Sequence, residues 1–238
     1  MPIPDITHNK HLSRRTSEDA RQYVYRVIRA CILQFHLLPG QKLNELELSQ
    51  ILNVSRTPVH DTIFRLSREH LADLYPNRGA FVSRMHQDSI EQAIWTHVHM
   101  GTSVLQTIHI RNIPRSRIEI LYTYLNQMNL CLNKGDTRRG AGYLLEYYHQ
   151  LYQLAGNLDL VWNALQNVDI NLQRLIYLSS GSQSVARAFS YDLTCLTDAL
   201  IQRDNDLACQ IYAQHLDRML QLIQPLCQHN PEYFSDAV

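Results

Sequence analysis

The sequence is short of nearly everything that marks a secreted, membrane-spanning or metal-clipped protein. Its 238 residues include 8 Gly and 8 Pro and no low-complexity tract, which excludes a linker-like chain and suits a compact, helix-rich one. The five cysteines (Cys31, Cys131, Cys195, Cys209, Cys227) are scattered, with no CxxC pair. They are read as buried, reduced thiols of a cytoplasmic protein, not as a disulfide framework. No apolar run approaches about 18 residues, so no transmembrane helix is expected. The opening MPIPDITHNKHLSRR has no hydrophobic stretch, so no secretory signal is expected either. GxSxG, HExxH and a Gly-rich phosphate loop are all missing, and no Cys/His arrangement stands in a recognisable frame. The reading is therefore not an enzyme.

Net charge is lacking too, with 22 Lys+Arg against 22 Asp+Glu, but it is unevenly spread. Residues 1–85 hold 12 basic and 8 acidic side chains, and the remainder hold 10 and 14. A basic front and an acidic back suit a DNA-binding module joined to something else.

Ser55–Arg84, SRTPVHDTIFRLSREHLADLYPNRGAFVSR, carries the most information. Ser55 is a suitable N-cap, and Pro58 is tolerable that early in a helix. Val59, Ile63 and Leu66 fall at i, i+4 and i+7 and predict one buried stripe. Leu71–Tyr75 and Ala80–Ser83 then read as strands around Pro76-Asn77-Arg78-Gly79, where Asn and Gly can take positive φ. A polar-tipped helix followed by a basic hairpin is how a winged helix-turn-helix meets DNA. Upstream, helical spacing predicts a first helix over about Ser17–Phe35, a turn at Leu38-Pro39-Gly40, a short strand at Lys42–Asn44 and a second helix at Glu45–Leu52.

On this reading Arg56 can donate two hydrogen bonds to a guanine edge. Ser55, Thr57 and Thr62 can bind phosphates, and His60 can donate to a base or a phosphate. Arg65 and Arg68 suit phosphate contacts or solvated charge. Arg78, with Asn77 and Gly79 at the wing tip, is placed for a minor groove.

From Asp88 onward everything reads as helix, in about six segments: 88–110, 115–133, 138–155, 158–179, 183–202 and 205–228. The fold class is thus mainly α. A flexible arm at 1–16 precedes a winged helix-turn-helix at 17–85, and an all-α bundle for effector binding and dimerisation follows at 86–238.

The order helix, LLPGQKL, short helix, VSRTPV, helix and NRGAFV hairpin resembles the GntR family of bacterial transcription regulators over about residues 20–84. That resemblance implies a cytoplasmic homodimer on a palindromic operator, with Arg56 as the guanine reader. Where the family has further arginines, this chain has His60 and Leu46, which points to a different operator sequence. Tyr148-His149, Ala155-Gly156-Asn157 and Asp204…Ala208…His215-Leu216 resemble the helical effector (FCD) domain of the FadR branch. Many members hold a divalent metal there through one Asp and three His.

Carried over position by position, only His149 and His215 remain of that ligand set. The Asp falls on Leu145 and the third His on Leu193. Glu146 and Asp192 are one residue off, about 100° of helix rotation away. No family-type metal and no cofactor is therefore expected. The family's carboxylate-binding Arg falls on His97 and its Glu partner on Gly101, so the pocket is expected to be rebuilt. His97, His149, Tyr152, Arg174 and His215 are its candidate lining for a small-molecule effector, and each can equally be a satisfied core polar group. The function expected is a DNA-binding repressor modulated by a small metabolite. The alternatives are a constitutive regulator whose helical half is only a dimerisation scaffold, and a helical half that is an enzyme or protein-interaction domain.

Overall fold

The computed structural model describes residues 13–235, and residues 1–12, most of the expected arm, lie outside them. The chain forms two compact units: one runs through His86 and takes back the tail from Asn230, and the other spans Gln87–His229.

In the first unit, α1 (Ala20–Leu33) starts later than expected because its cap is Asp19, not Ser17. The Asp19 carboxylate accepts from the Gln22 backbone N–H at 2.8 Å, and the Gln22 side chain accepts from the Asp19 N–H at 3.2 Å. This reciprocal capping box closes two otherwise unpaired donors. Asn44 caps α2 (Glu45–Ile51) by accepting from the Leu46 and Glu47 backbone N–H groups at 3.0 and 3.3 Å. Asn53, at φ 51°, makes the tight turn toward α3 (Arg56–Arg68). Ser55 occupies the N-cap position of α3, but its hydroxyl makes no capping bond.

The expected stripe of α3 is buried and wider than drawn, taking in Pro58 and Thr62 beside Val59, Ile63 and Leu66. It packs against α1, whose Val24, Val27, Ile28 and Cys31 are fully buried. β1 (Lys42–Leu43), β2 (Ala72–Tyr75) and β3 (Gly79–Val82) form an antiparallel sheet in the order β1-β3-β2, with Leu74 opposite Ala80 and Lys42 opposite Phe81. Asn77 (φ 61°) and Gly79 (φ 93°) supply the left-handed residues of the wing turn, as their chemistry predicts.

The tail was expected in the helical half. Its last described residues instead belong to the first unit. Phe234 pairs with Met85 as a parallel bridge, the Met85 N–H donating to the Tyr233 carbonyl at 2.9 Å and the Ser235 N–H to the Met85 carbonyl at 3.0 Å. The Tyr233 ring meets Phe35 edge-on at 5.7 Å, and Met85 is fully buried. Two buried apolar side chains and a paired backbone are what hold this strap.

The second unit is all helix: α4 (Gln87–Ile110), α5 (Arg115–Ile118), α6 (Ile120–Asn133), α7 (Thr137–Gly156), α8 (Asp159–Val168), α9 (Ile170–Ser179), α10 (Gln183–Gln202) and α11 (Asn205–His229). Two of the six expected segments are divided. A tightened turn at Glu119 separates α5 from α6, and Asp169 (φ −96°, ψ 12°) separates α8 from α9. The carboxylate of Asp169 turns into the core instead of capping the helix, which fixes the bend there. α4 packs on α11, α7 and α9, and α6 packs on α7 and α10. Asn112, Gly135, Asn157 and Arg203 end helices with positive φ. No helix among the described residues is long and apolar enough to cross a membrane. Cys31 and Cys131 are buried as expected, whereas Cys195, Cys209 and Cys227 are only half-buried.

Candidate nucleic-acid interface and the polar core of the helical unit

The apolar side of α3 is spent on α1 and α2, so its other side is presented outward. Ser55, Arg56, Thr57 and His60 are exposed at its N-terminal end, and Arg68 at its C-terminal end. Asn77, Arg78 and Gly79 are exposed on the wing, with the Arg78 guanidinium 5.6 Å from the centre of the Tyr75 ring. One expected contact must be corrected. Thr62 is 3% exposed and faces the core, so it cannot reach a phosphate. Arg65 lies along the helix with its side chain 61% exposed, its guanidinium 3.6 Å over the Tyr25 ring and its Nε donating to Glu69 at 3.1 Å. Near the carboxyl end of α3 its charge also opposes the helix dipole favourably, a structural role that competes with a DNA contact. Arg68 stacks 5.0 Å from Phe64 and stays solvated.

Sequence spacing did not show the partner of His60. Its Nδ1 lies 3.0 Å from Oε1 of Glu45, in the first turn of α2. This hydrogen bond, and then the charge of the same carboxylate, raises the imidazole pKa above its ordinary 6.5. Asp61 is tied to Arg21 of α1 at 3.1 Å.

In the helical unit, His97, Tyr152, Arg174 and His215 are all buried, but they belong to a network that the candidate set only partly named. Tyr148 stands at its centre. Its hydroxyl is 2.6 Å from His215 Nε2, and its ring lies 6.2 Å from His97 and 6.3 Å from Tyr212. His215 Nδ1 faces Asp192 at 3.1 Å, and Arg218 Nε donates to the same carboxylate at 3.0 Å. His97 Nε2 donates to Asp169 at 3.1 Å, and Gln173 Nε2 to Asp169 at 2.6 Å.

His149 is not part of this network. It lies at the edge of the unit, stacked on Trp162 at 5.2 Å with its Nε2 3.1 Å from Asp159. Tyr148 takes the inward position because adjacent helix residues are about 100° apart. The same rotation argument fails for Asp192. α10 packs on both α11 and α6, so Asp192 and Leu193 are both buried, toward different neighbours. The two residual family positions, His149 and His215, therefore do not converge. Both His215 nitrogens are occupied by Tyr148 and Asp192, so these residues do not fit the family's metal. Among the described residues no three His, Cys, Asp or Glu side chains are grouped as metal ligands.

Burial holds His215 below its ordinary pKa of 6.5, against the opposing pull of Asp192. For Asp192 burial acts upward, yet the hydrogen bonds from His215 and Arg218 outweigh it and the net shift is down. The sign follows from linkage. Above the unfolded pKa both groups contribute their full stability, and it is lost as pH falls, first below about 6.5 as unfolded His215 takes up a proton that the folded form refuses. Urea midpoints of the wild type should fall between pH 7.5 and 5.5, by at most about 1.4 kcal/mol per pH unit from this one group. His215→Gln should flatten that slope. An unchanged slope would mean that His215 is not the group responsible.

Comparison with known proteins agrees with this architecture. Residues 20–82 match the family model of bacterial regulatory proteins, gntR family. The chain is 24% identical over 220 residues to the HTH-type transcriptional repressor RspR of Escherichia coli K12, covering 92% of this chain and 96% of that protein. It is 27% identical over 216 residues to an HTH-type transcriptional regulator of Streptomyces ambofaciens, covering 90% and 89%. Among solved structures, E. coli McbR/YncC superposes with a TM-score of 0.73 at 15% identity, over 89% of this chain and 99% of that one. A GntR regulator from Rhodococcus sp. RHA1 gives 0.71 at 18% identity, over 86% and 97%. The segment that matches the gntR model coincides with the unit that carries α1–α3 and the wing, and the chain is similar over about nine-tenths of its length to HTH-type transcriptional regulators.

Proposed function

We propose that the protein is a homodimeric repressor that reads a palindromic operator through the exposed end of α3 and the wing. The observation that carries this is one surface: Ser55, Arg56, Thr57 and His60 exposed opposite a buried stripe, on the same unit as the exposed wing tip Asn77-Arg78-Gly79. Arg56 reads guanine, Ser55, Thr57 and Arg68 hold the backbone, and Arg78 reaches the minor groove. Two heads are needed because one module this small makes too few contacts to select a site. Repression is favoured by the similarity to RspR, which is itself a repressor by name.

The helical unit is read as an FCD-type effector domain of the FadR branch. Support comes from its polar core, since a purely apolar core would hold such a bundle together at lower desolvation cost. A small molecule that binds one packing of that core better than another shifts operator affinity by that difference and no more. The scaffold alternative draws on the Tyr212 ring, which fills the space over Gly101 at the centre of the unit. Thermal shift of the full chain across a metabolite library separates the two: a stabilising hit supports the effector reading, and uniform silence supports the scaffold.

Selection from random duplex DNA at a stated salt concentration tests the DNA reading. An enriched inverted repeat is expected. Arg56→Ala should then weaken that repeat by about 1–3 kcal/mol and relax base choice at one position per half-site. Arg68→Ala should weaken all sequences alike and lower the salt slope by about one per head. A change of base preference from Arg68 with none from Arg56 would place the helix wrongly on the duplex.

A further inference from the structure

The pairing of His60 with Glu45 carries a consequence for base choice. A carboxylate accepts hydrogen bonds and donates none, so Nδ1 of His60 carries a proton whether or not the ring is charged. The titrating nitrogen is therefore Nε2, across the ring from Glu45. It is a bare acceptor in the neutral ring and an N–H donor in the charged one. The His60 side chain is 65% exposed, one turn along α3 from Arg56, so that nitrogen is available to a partner outside the protein.

Base edges in the major groove differ in just this property. Adenine N6 and cytosine N4 offer donors, whereas guanine, with N7 and O6, and thymine, with O4, offer acceptors alone. We propose that Glu45 and His60 form a protonation-dependent base reader, selecting an amino-bearing base through a bare Nε2 and an acceptor-only base, guanine foremost with its two acceptors, once the ring is charged. This rests on α3 being the base-reading helix.

The surroundings move that change of charge to a higher pH than an isolated imidazole shows. Glu45 on α2 is the main influence, by hydrogen bond and then by charge, and Asp61 on α3 adds in the same direction. Among the cations, Arg56 stands one turn earlier on α3, and Arg21 of α1 is engaged by Asp61 at 3.1 Å. DNA phosphates near the ring act in the same sense as Glu45.

The test is selection from random duplexes with the full chain at pH 6.0 and pH 8.5, at one salt concentration, for wild type, His60→Arg and Glu45→Gln. Wild type should enrich the same inverted repeat at both pH values, except that one position per half-site changes from adenine or cytosine to guanine at pH 6.0. The preference there should be about three- to tenfold, the size of a single hydrogen bond. His60→Arg, a permanent donor, should select guanine at both pH values. Glu45→Gln no longer fixes the tautomer and should blur the choice at pH 8.5. An identical motif at both pH values in wild type overturns the inference and leaves the DNA reading intact, as does a pH change that survives His60→Arg. Failure of any protein to enrich a motif at either pH overturns the DNA reading, and this inference with it.

Discussion

Asp169→Ala should be the most damaging single change in the helical unit. The carboxylate is 1% exposed and accepts from two side chains that are themselves buried, His97 on α4 and Gln173 on α9. Removing it leaves two donors with no water to turn to, at about 1–3 kcal/mol each. A sum in the upper part of that range is a large share of the roughly 5–15 kcal/mol by which a domain is stable. It also removes the group that fixes the bend between α8 and α9. Asp169→Asn, which keeps an acceptor, should cost much less. Replacing both partners, as in Asp169→Leu with His97→Phe, should recover part of the loss, because an apolar pair strands nothing. Denaturant unfolding followed by helical circular dichroism reads all three. A loss below about 0.5 kcal/mol for Asp169→Ala, the size of an ordinary surface change, would show that the network is not what holds this region.

Gly101→Ala is the second. Glycine within a helix costs about 0.5–1 kcal/mol relative to alanine, so on propensity alone the change should stabilise α4. Packing decides otherwise. A Cβ at this position would lie well inside van der Waals contact of the Tyr212 ring. That ring is 1% exposed and meets Tyr148 edge-on, so it is not the free end of a flexible side chain that can swing aside. Overpacking of this kind costs about 1–3 kcal/mol, and the near-complete overlap puts the expectation at the upper end, a net destabilisation after the helix gain. The double variant Gly101→Ala, Tyr212→Leu should be less unstable than the two single effects added together, since the second change removes what the first collides with. Strict additivity would mean that the ring relaxes by another route.

What could be read from the chain and what could not divides along physical lines. Turn chemistry was legible because it is local: Asn77 and Gly79 announce positive φ by residue type alone. The stripe of α3 was legible because burial repeats with the helix, whereas Thr62 was misassigned because a hydroxyl says nothing about how wide that buried face is. Arg65 reads from the sequence as a phosphate contact or a solvated charge. Only the fold shows Tyr25 and Glu69 closing around its guanidinium, and Tyr25 is contributed by another helix. The helical unit was harder throughout. Its core polar groups pair across 72 residues (His97 with Asp169), 67 (Tyr148 with His215) and 23 (Asp192 with His215), and no spacing rule reaches that far. Position-by-position transfer from a resembling family makes His149 a ligand position, leaves Tyr148 only a neighbour of the cavity lining and turns Asp192 elsewhere. Which of two adjacent helix residues faces the core depends on neighbours absent from the motif. Asp169 gave no sign of a break because flanking residues on both sides continue a helical pattern, and its carboxylate is recruited by α4.

The strap from Asn230 to Ser235 makes the DNA-reading unit discontinuous in sequence, with the whole helical unit inserted between His86 and Asn230. The ends of that insert are fastened by Gln87, whose amide reaches both Cys227 at 3.0 Å and Gln224 at 3.1 Å. A chain synthesised from its N-terminus cannot finish its first unit first. The backbone pairing of Met85 and the cover on Phe35 wait for Tyr233 and Phe234, which emerge only after the whole insert. Completion of the reading head is thereby coupled to the folding of the insert, which shortens the loop that the last residues must close. A fragment cut after His86 is not a domain removed from its neighbour but a domain missing its final stitch.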